Sequence, residues 1–198
     1  TDAWYAIADL LGHNAFYSDH PAEALAGKRR ALEIVETQLR KHPDNVDLIR
    51  AHGAFLYSHW WDWRGAEADF RRLANIVGED DELLLLNLSR LRAANGDLDG
   101  AIALALRAGE LNPLSTGWAL AGYQALGMKR TQQAQIWVMK SIQADPLDEH
   151  AHYYLGLSEL LQNNPTRALE HFDDSAHVLR LTGRAAALYS MGRIEESN

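Results

Sequence analysis

Apolar residues along this chain recur at three- and four-residue intervals, and short polar or Pro/Gly-containing breaks separate the runs. This period predicts helices over 2–17, 21–41, 46–60, 63–77, 82–94, 98–110, 116–127, 131–143, 149–162, 165–177 and 181–191. No stretch shows strand signals, so the predicted fold class is all-α. Boundary residues agree with the periodicity. Ser115 is placed to cap the helix carrying Trp118, Gly96-Asp97 separates two apolar runs, and Asn164-Pro165 offers a cap followed by proline at the first helical position.

The helices form a repeat. Ala31, Ala66, Ala101, Ala134 and Ala168 stand 35, 35, 33 and 34 residues apart. Four residues after each alanine come Val35, Phe70, Ala105, Val138 and Phe172; twelve after come Pro43, Gly78, Pro113, Pro146 and, breaking the rule, Arg180. Twelve residues before the last four alanines sit Ala54, Ser89, Gly122 and Gly156, all small. A small residue in one helix lets an antiparallel helix approach, the alanine marks the crossing, and Pro or Gly ends the second helix. Each period is therefore one helical hairpin. Helices this short are not stable alone and must stack, which predicts an α-solenoid. The units fall near 2–44, 46–79, 82–114, 115–148 and 149–178, with a partial unit over 179–198, all in one domain spanning 1–198. The first unit departs from the pattern: Asp19 occupies the place of the small residue, while Trp4, Ile7, Ala8 and Leu11 supply the aromatic, apolar, small, apolar order, so an insertion of about three helical turns is expected there.

Trp118-x-x-Ala121-Gly122 with Ala134 and Pro146, and Leu155-Gly156 with Ala168 and Phe172, resemble the tetratricopeptide repeat (TPR) signature. The likeness covers essentially the whole chain, although Arg92, Ala125 and Glu159 stand where the signature favours tyrosine. It implies a right-handed superhelix of about five hairpins plus a terminal helix, and a protein or peptide as partner. Trp61-Asp62-Trp63-Arg64-Gly65-Ala66-Glu67, leading to Phe70-Arg71-Arg72, is similar to a variant found in arrays of bacterial transcriptional regulators and signalling cyclases, which implies a regulatory array within a larger protein as the alternative. Trp60, Trp61 and Trp63 cluster at one turn and are expected to pin it against the next hairpin.

In such solenoids the first helix of each hairpin lines the concave face. Its residues at fixed offsets from the anchor alanine are Leu48, Ala51, Phe55 and His59; Leu83, Leu86 and Arg90; Thr116, Ala119, Tyr123 and Leu126; and His150, Tyr153, Leu157 and Leu161. This surface is mostly apolar and aromatic. Ala51, Leu86, Ala119 and Tyr153 replace the polar residues of a carboxylate clamp, so an amphipathic helix or extended segment, anchored on Phe55, Tyr123 and Tyr153, is the expected ligand.

Composition narrows the chemistry further. Nineteen Lys+Arg against 27 Asp+Glu give a formal net charge of −8, which argues against nucleic acid as a direct partner. The absence of cysteine excludes disulfides, thiolate zinc sites and cysteine nucleophiles, but suits cytosol and periplasm equally, so the compartment stays open, with cytoplasm favoured and periplasm as the alternative. No apolar run is long enough to span a bilayer. There is no phosphate loop, no G-x-S-x-G elbow and no H-E-x-x-H helix, so neither catalysis nor a cofactor is expected. Nine histidines invite a metal reading, and Glu149-x-x-His152 with Asp174-x-x-His177 has the spacing of di-iron bundles. A metal-dependent enzyme built on those four residues is the remotest alternative, because small and apolar residues occupy the crossings where further carboxylates would be needed. The start at Thr1 reads as a fragment or processed form. Near the other end Ser197 falls where the next anchor alanine would stand, so the helix over 181–191 is expected to lack its hairpin partner and to need a cap, a longer chain or a second copy at this C-terminal edge.

Overall fold

A computed structural model of the chain describes residues 21–177 and 179–197. The predicted helix over 2–17, with Trp4, Ile7, Ala8, Leu11 and the Asp19 position, lies outside them. The described elements are all helical: α1 Pro21–Lys41, α2 Val46–Phe55, a π-turn Leu56–Trp60, α3 Trp63–Val77, α4 Glu82–Ala94, α5 Leu98–Leu111, α6 Gly117–Gly127, α7 Thr131–Ala144, α8 Glu149–Leu161, α9 Pro165–Asp174, α10 Arg180–Ser190 and α11 Ile194–Ser197. Two compact units divide the chain inside α4, one ending at Leu91 and the other beginning at Arg92.

Polar side chains set the helix starts by accepting backbone N–H groups that have no partner within the helix. Asn45 accepts from Leu48 N at 2.9 Å, Asp62 from Gly65 N at 2.9 Å, Asp97 from Gly100 N at 2.9 Å, and Asp148 from His150 N and Ala151 N at 3.0 and 3.1 Å. Ser115 Oγ accepts from Gly117 N at 3.2 Å, as its position predicts. Asn164 makes no side-chain cap; its Nδ2 donates instead to Glu159 Oε2 at 3.0 Å, and Pro165 opens α9.

In the first unit Ala31 and Val35 of α1 pack with Ala51 and Phe55 of α2. Ile49, Ala66, Phe70, Leu73, Leu84 and Leu91 form a second cluster, with Trp63 against it. Gly53, rather than Ala54, is the small residue at the α2–α3 crossing: a β-carbon there would stand 2.6 Å from Phe70 Cε1. The physical reason is the π-turn, which takes one extra residue between the small position and Ala66 and so moves the register of α2 by one. Trp61 is 74% exposed, so the tryptophan group divides; Trp63 packs on the core and Trp61 does not.

In the second unit the crossings follow the predicted spacing. Gly122 meets Val138, Gly156 meets Phe172, and Gly109 meets the Trp118 ring. Ala119, Val138, Ala151 and Leu155 form one cluster; Tyr153, Ala168, Phe172 and Ala187 form the next. The buried Glu159 carboxylate, at a position the repeat usually fills with tyrosine, accepts from Asn164 Nδ2 at 3.0 Å and Gln135 Nε2 at 3.4 Å, with Arg167 Nη1 at 3.7 Å.

The turns inside the hairpins share a backbone device. Trp61, Gly96, Lys129, Asn163 and Gly192 have φ of 57°, 85°, 59°, 61° and 76°, in the left-handed region, and each stands five residues before an anchor position, Ser197 included. A single left-handed residue ends the first helix and redirects the chain into the second.

Candidate functional site

The second unit holds a depression of about 430 Å³ lined by Ala93, Leu98, Tyr123, Gln124, Leu126, Gly127, Leu157, Leu160 and Leu161. Its walls are the last turns of α6 and α8 together with the turn between α4 and α5. The lining is almost wholly apolar, and Tyr123 and Leu161 remain 49% and 61% exposed although both carry large apolar surface. A volume of this size lies within the range of small-ligand and side-chain pockets. Tyr123, Leu126, Leu157 and Leu161, which the repeat offsets assign to the concave face, therefore share one surface feature.

An aromatic file runs on from Tyr123. Its ring stacks on Tyr154 at 4.8 Å, Tyr154 meets Tyr153 edge-on at 5.9 Å, and Tyr153 stacks on His177 at 4.5 Å. His150 sits edge-on to His177 at 5.0 Å. Tyr153 is only 7% exposed and touches Phe172, so it belongs to the interior and not to a contact surface. Burial pushes the Tyr153 phenol up and the His177 imidazole down from their ordinary values, the latter with help from the neighbouring His150.

The remaining predicted residues are scattered. Leu48, Ala51 and Phe55 are buried in the first unit, a correction to their placement on the concave face. For Leu48 and Phe55 it follows from the one-residue shift at the π-turn, which leaves Asp47 half-exposed in place of Leu48. Ala51 is buried like Leu86, Ala119 and Tyr153 at the same offset, a position that faces the core in each of these hairpins. Arg50 there bridges Asp47 at 3.3 Å and Asp81 at 3.2 Å. His59 is half-buried with its ring 5.4 Å from Phe55. Leu83 is exposed, Leu86 and Ala119 are buried, and Arg90 is half-buried. Thr116 occupies the N-cap position of α6 without a side-chain cap bond.

Two polar groups were not visible in the repeat pattern. His52 Nδ1 lies 2.6 Å from Asp69 Oδ2, and this hydrogen bond raises the His52 pKa above its ordinary value against the opposing effect of burial, with added attraction from Asp69, Glu36 and Asp62. In the second unit His152 of α8 meets His171 and Asp174 of α9, with one donor atom of each within 4.8 Å of the others. Burial lowers the His171 pKa, so that imidazole favours its neutral form. The four residues with di-iron spacing are not gathered together: His152 and Asp174 converge with His171, whereas His177 belongs to the aromatic file. Among the described residues no helix is long and apolar enough to cross a membrane.

No protein-family model and no curated protein sequence matches the chain. Solved structures do match in fold. YrrB, described as a TPR protein with an unusual peptide-binding site, aligns at 18% identity and a TM-score of 0.55 over 96% of this chain and 90% of its own. PilF of Pseudomonas aeruginosa aligns at 16% identity and 0.60 over 99% and 87%. A thermophilic TPR protein of Thermus thermophilus aligns at 13% identity and 0.67 over 96% and 98%. The fold is thus the array of antiparallel helical hairpins that the alanine spacing predicts, of the TPR type that the signatures around Trp118 and Leu155 resemble.

Proposed function

We propose that the chain is a protein-interaction scaffold whose second unit receives an apolar segment of a partner, a peptide or an amphipathic helix, in the depression between α6 and α8. The observation that carries this reading is the lining itself: Tyr123, Leu126, Leu157, Leu160 and Leu161 converge on one concavity of about 430 Å³ with Tyr123 and Leu161 left open to solvent. Covering such a surface with leucine- or phenylalanine-sized side chains removes apolar area from water at about 25 cal/mol per Å². Tyr123 is the natural anchor, since an aromatic ring offers large contact area with little rotamer entropy to lose. The likeness in fold to YrrB, whose description names a peptide-binding site, points the same way.

Affinity capture of partners from the organism's own extract, followed by mass spectrometry, tests this with a double variant, Tyr123→Ala with Leu161→Ala. Both side chains lie outside the buried clusters, so helical content should hold and melting should fall by no more than the loss of the Tyr123–Tyr154 stack costs, while captured partners fall at least tenfold. Capture that survives the double substitution would place the binding surface elsewhere. Tyr153→Ala is not a suitable probe, because its ring is packed between Phe172 and His177 and its loss would damage the fold.

A further inference from the structure

The α8–α9 hairpin is joined at one end by the turn over Gln162, Asn163 and Asn164, and at its other end three metal-ligating side chains meet. His152 projects from the start of α8. His171 and Asp174, three residues apart and so on one helical face, come from the end of α9. One donor atom of each lies within 4.8 Å of the other two.

His152 is already held in a coordinating state. Its Nε2 is 3.1 Å from the Pro146 carbonyl oxygen; a carbonyl only accepts, so Nε2 carries the proton and donates it. Nδ1 is then a bare lone pair, and it is buried with no hydrogen-bond partner among the described residues. A buried acceptor left in this way loses its hydration without replacement unless something fills it. One ring nitrogen donating to a backbone carbonyl while the other presents a lone pair is the arrangement that outer contacts impose on metal-bound histidine.

We propose that His152 Nδ1, His171 and Asp174 bind one first-row divalent transition ion of the zinc class, with solvent filling its open position. Two imidazoles and a carboxylate suit zinc and its neighbours, whereas magnesium and calcium take oxygen donors. Ligands at about 2.0–2.2 Å from a tetrahedral ion stand about 3.4 Å apart, so the donors must draw in from their present spread. Asp174 is the group free to move: it is exposed and ends α9. The ion ties the open end of the hairpin as the turn ties the other, and it acts independently of the apolar depression.

The test uses the full chain without an affinity tag, stripped with EDTA and titrated with zinc in equilibrium dialysis, alongside thermal melts with zinc and with magnesium. Expected are one zinc per chain and a midpoint raised by roughly 5–10 °C at a hundredfold excess over Kd, reversed by EDTA and not reproduced by magnesium. His171→Gln and Asp174→Asn should each weaken binding by at least ~10-fold, while His42→Gln, at an exposed histidine in the first unit, should leave it unchanged. Asp174→Asn is the decisive variant, since its exposed side chain can change without disturbing the fold. Absence of stoichiometric zinc, or binding that persists equally in both ligand variants, would overturn the assignment.

Discussion

The Phe172 ring lies against the bare Cα of Gly156: a β-carbon on Gly156 would stand 2.6 Å from Phe172 Cε1. The ring has little room to shift, because Gly183 of α10 approaches the same atom with an equal 2.6 Å to a notional β-carbon. Phe172 is thus held against two glycines on two helices, and α8, α9 and α10 meet on one aromatic side chain.

Gly156→Ala should therefore destabilise the protein by about 1–3 kcal/mol, the usual cost of overpacking. Alanine gains up to ~1 kcal/mol in helix propensity over glycine, which reduces the net loss without reversing it. Gly127 is the matched control, since a β-carbon there meets nothing within 4 Å and its φ is not left-handed. Gly127→Ala should be neutral or stabilising. Urea denaturation should lower the midpoint for Gly156→Ala and leave it unchanged or raise it for Gly127→Ala, and equal shifts would contradict the tight contact at Gly156.

The contact between His52 and Asp69 predicts a pH dependence in the first unit. The folded His52 pKa is raised above 6.5 by the 2.6 Å hydrogen bond to Asp69, with Glu36 and Asp62 adding attraction. Stability from this group is then fully present below pH 6.5 and is lost as pH rises through the folded-state pKa. Asp69→Asn should lower stability at pH 6 and flatten that dependence. Two-dimensional NMR of the imidazole should place the His52 midpoint above 6.5 in the parent chain and lower in the variant; an unmoved midpoint would remove Asp69 as the cause.

Lys129 holds the left-handed turn of its hairpin at φ 59°, where Gly96 and Gly192 hold the equivalent turns of theirs. A side chain in that region costs roughly 1 kcal/mol relative to glycine. Lys129→Gly should raise stability by about 0.5 kcal/mol at most, after subtraction of the greater entropy that glycine gives the unfolded chain. Differential scanning calorimetry would register a small upward shift in Tm, and a fall would mean that Lys129 contributes a contact that outweighs its backbone strain.

The helices and the crossings of the second unit were readable because a packed alanine or glycine leaves a residue-type record at a fixed interval. Ala134 with Gly122 and Ala168 with Gly156 stand at the predicted separation and cross where predicted. In α2 the same rule pointed to Ala54 and missed Gly53, because a π-turn changes residue spacing without a composition signal, and Leu48 and Phe55 were carried inward with it. The left-handed positions were legible in part: Gly96, Asn163 and Gly192 share an offset, but Trp61 and Lys129 have no preference that announces it. His171 escaped notice beside His152 and Asp174 because their convergence depends on the pairing of α8 with α9, not on spacing within one helix.

The packing of α10 decides what removal of the C-terminal segment does. Gly183 lies on Phe172, Ala187 is fully buried in the Phe172 cluster, and Leu188 is 5% exposed. A chain ending at Arg180 keeps α8 and α9 but opens one side of Phe172 to water and discards the burial of Leu188. The loss should be on the order of 3 kcal/mol, from the transfer cost of one leucine and part of a phenylalanine. Leu181→Ser provides the contrast, since Leu181 is 67% exposed and its replacement should leave Tm within about 1 °C. If the truncated chain melted where the parent does, α10 would be a passive end; a lowered Tm together with increased binding of a hydrophobic dye would identify α10 as the element that covers Phe172.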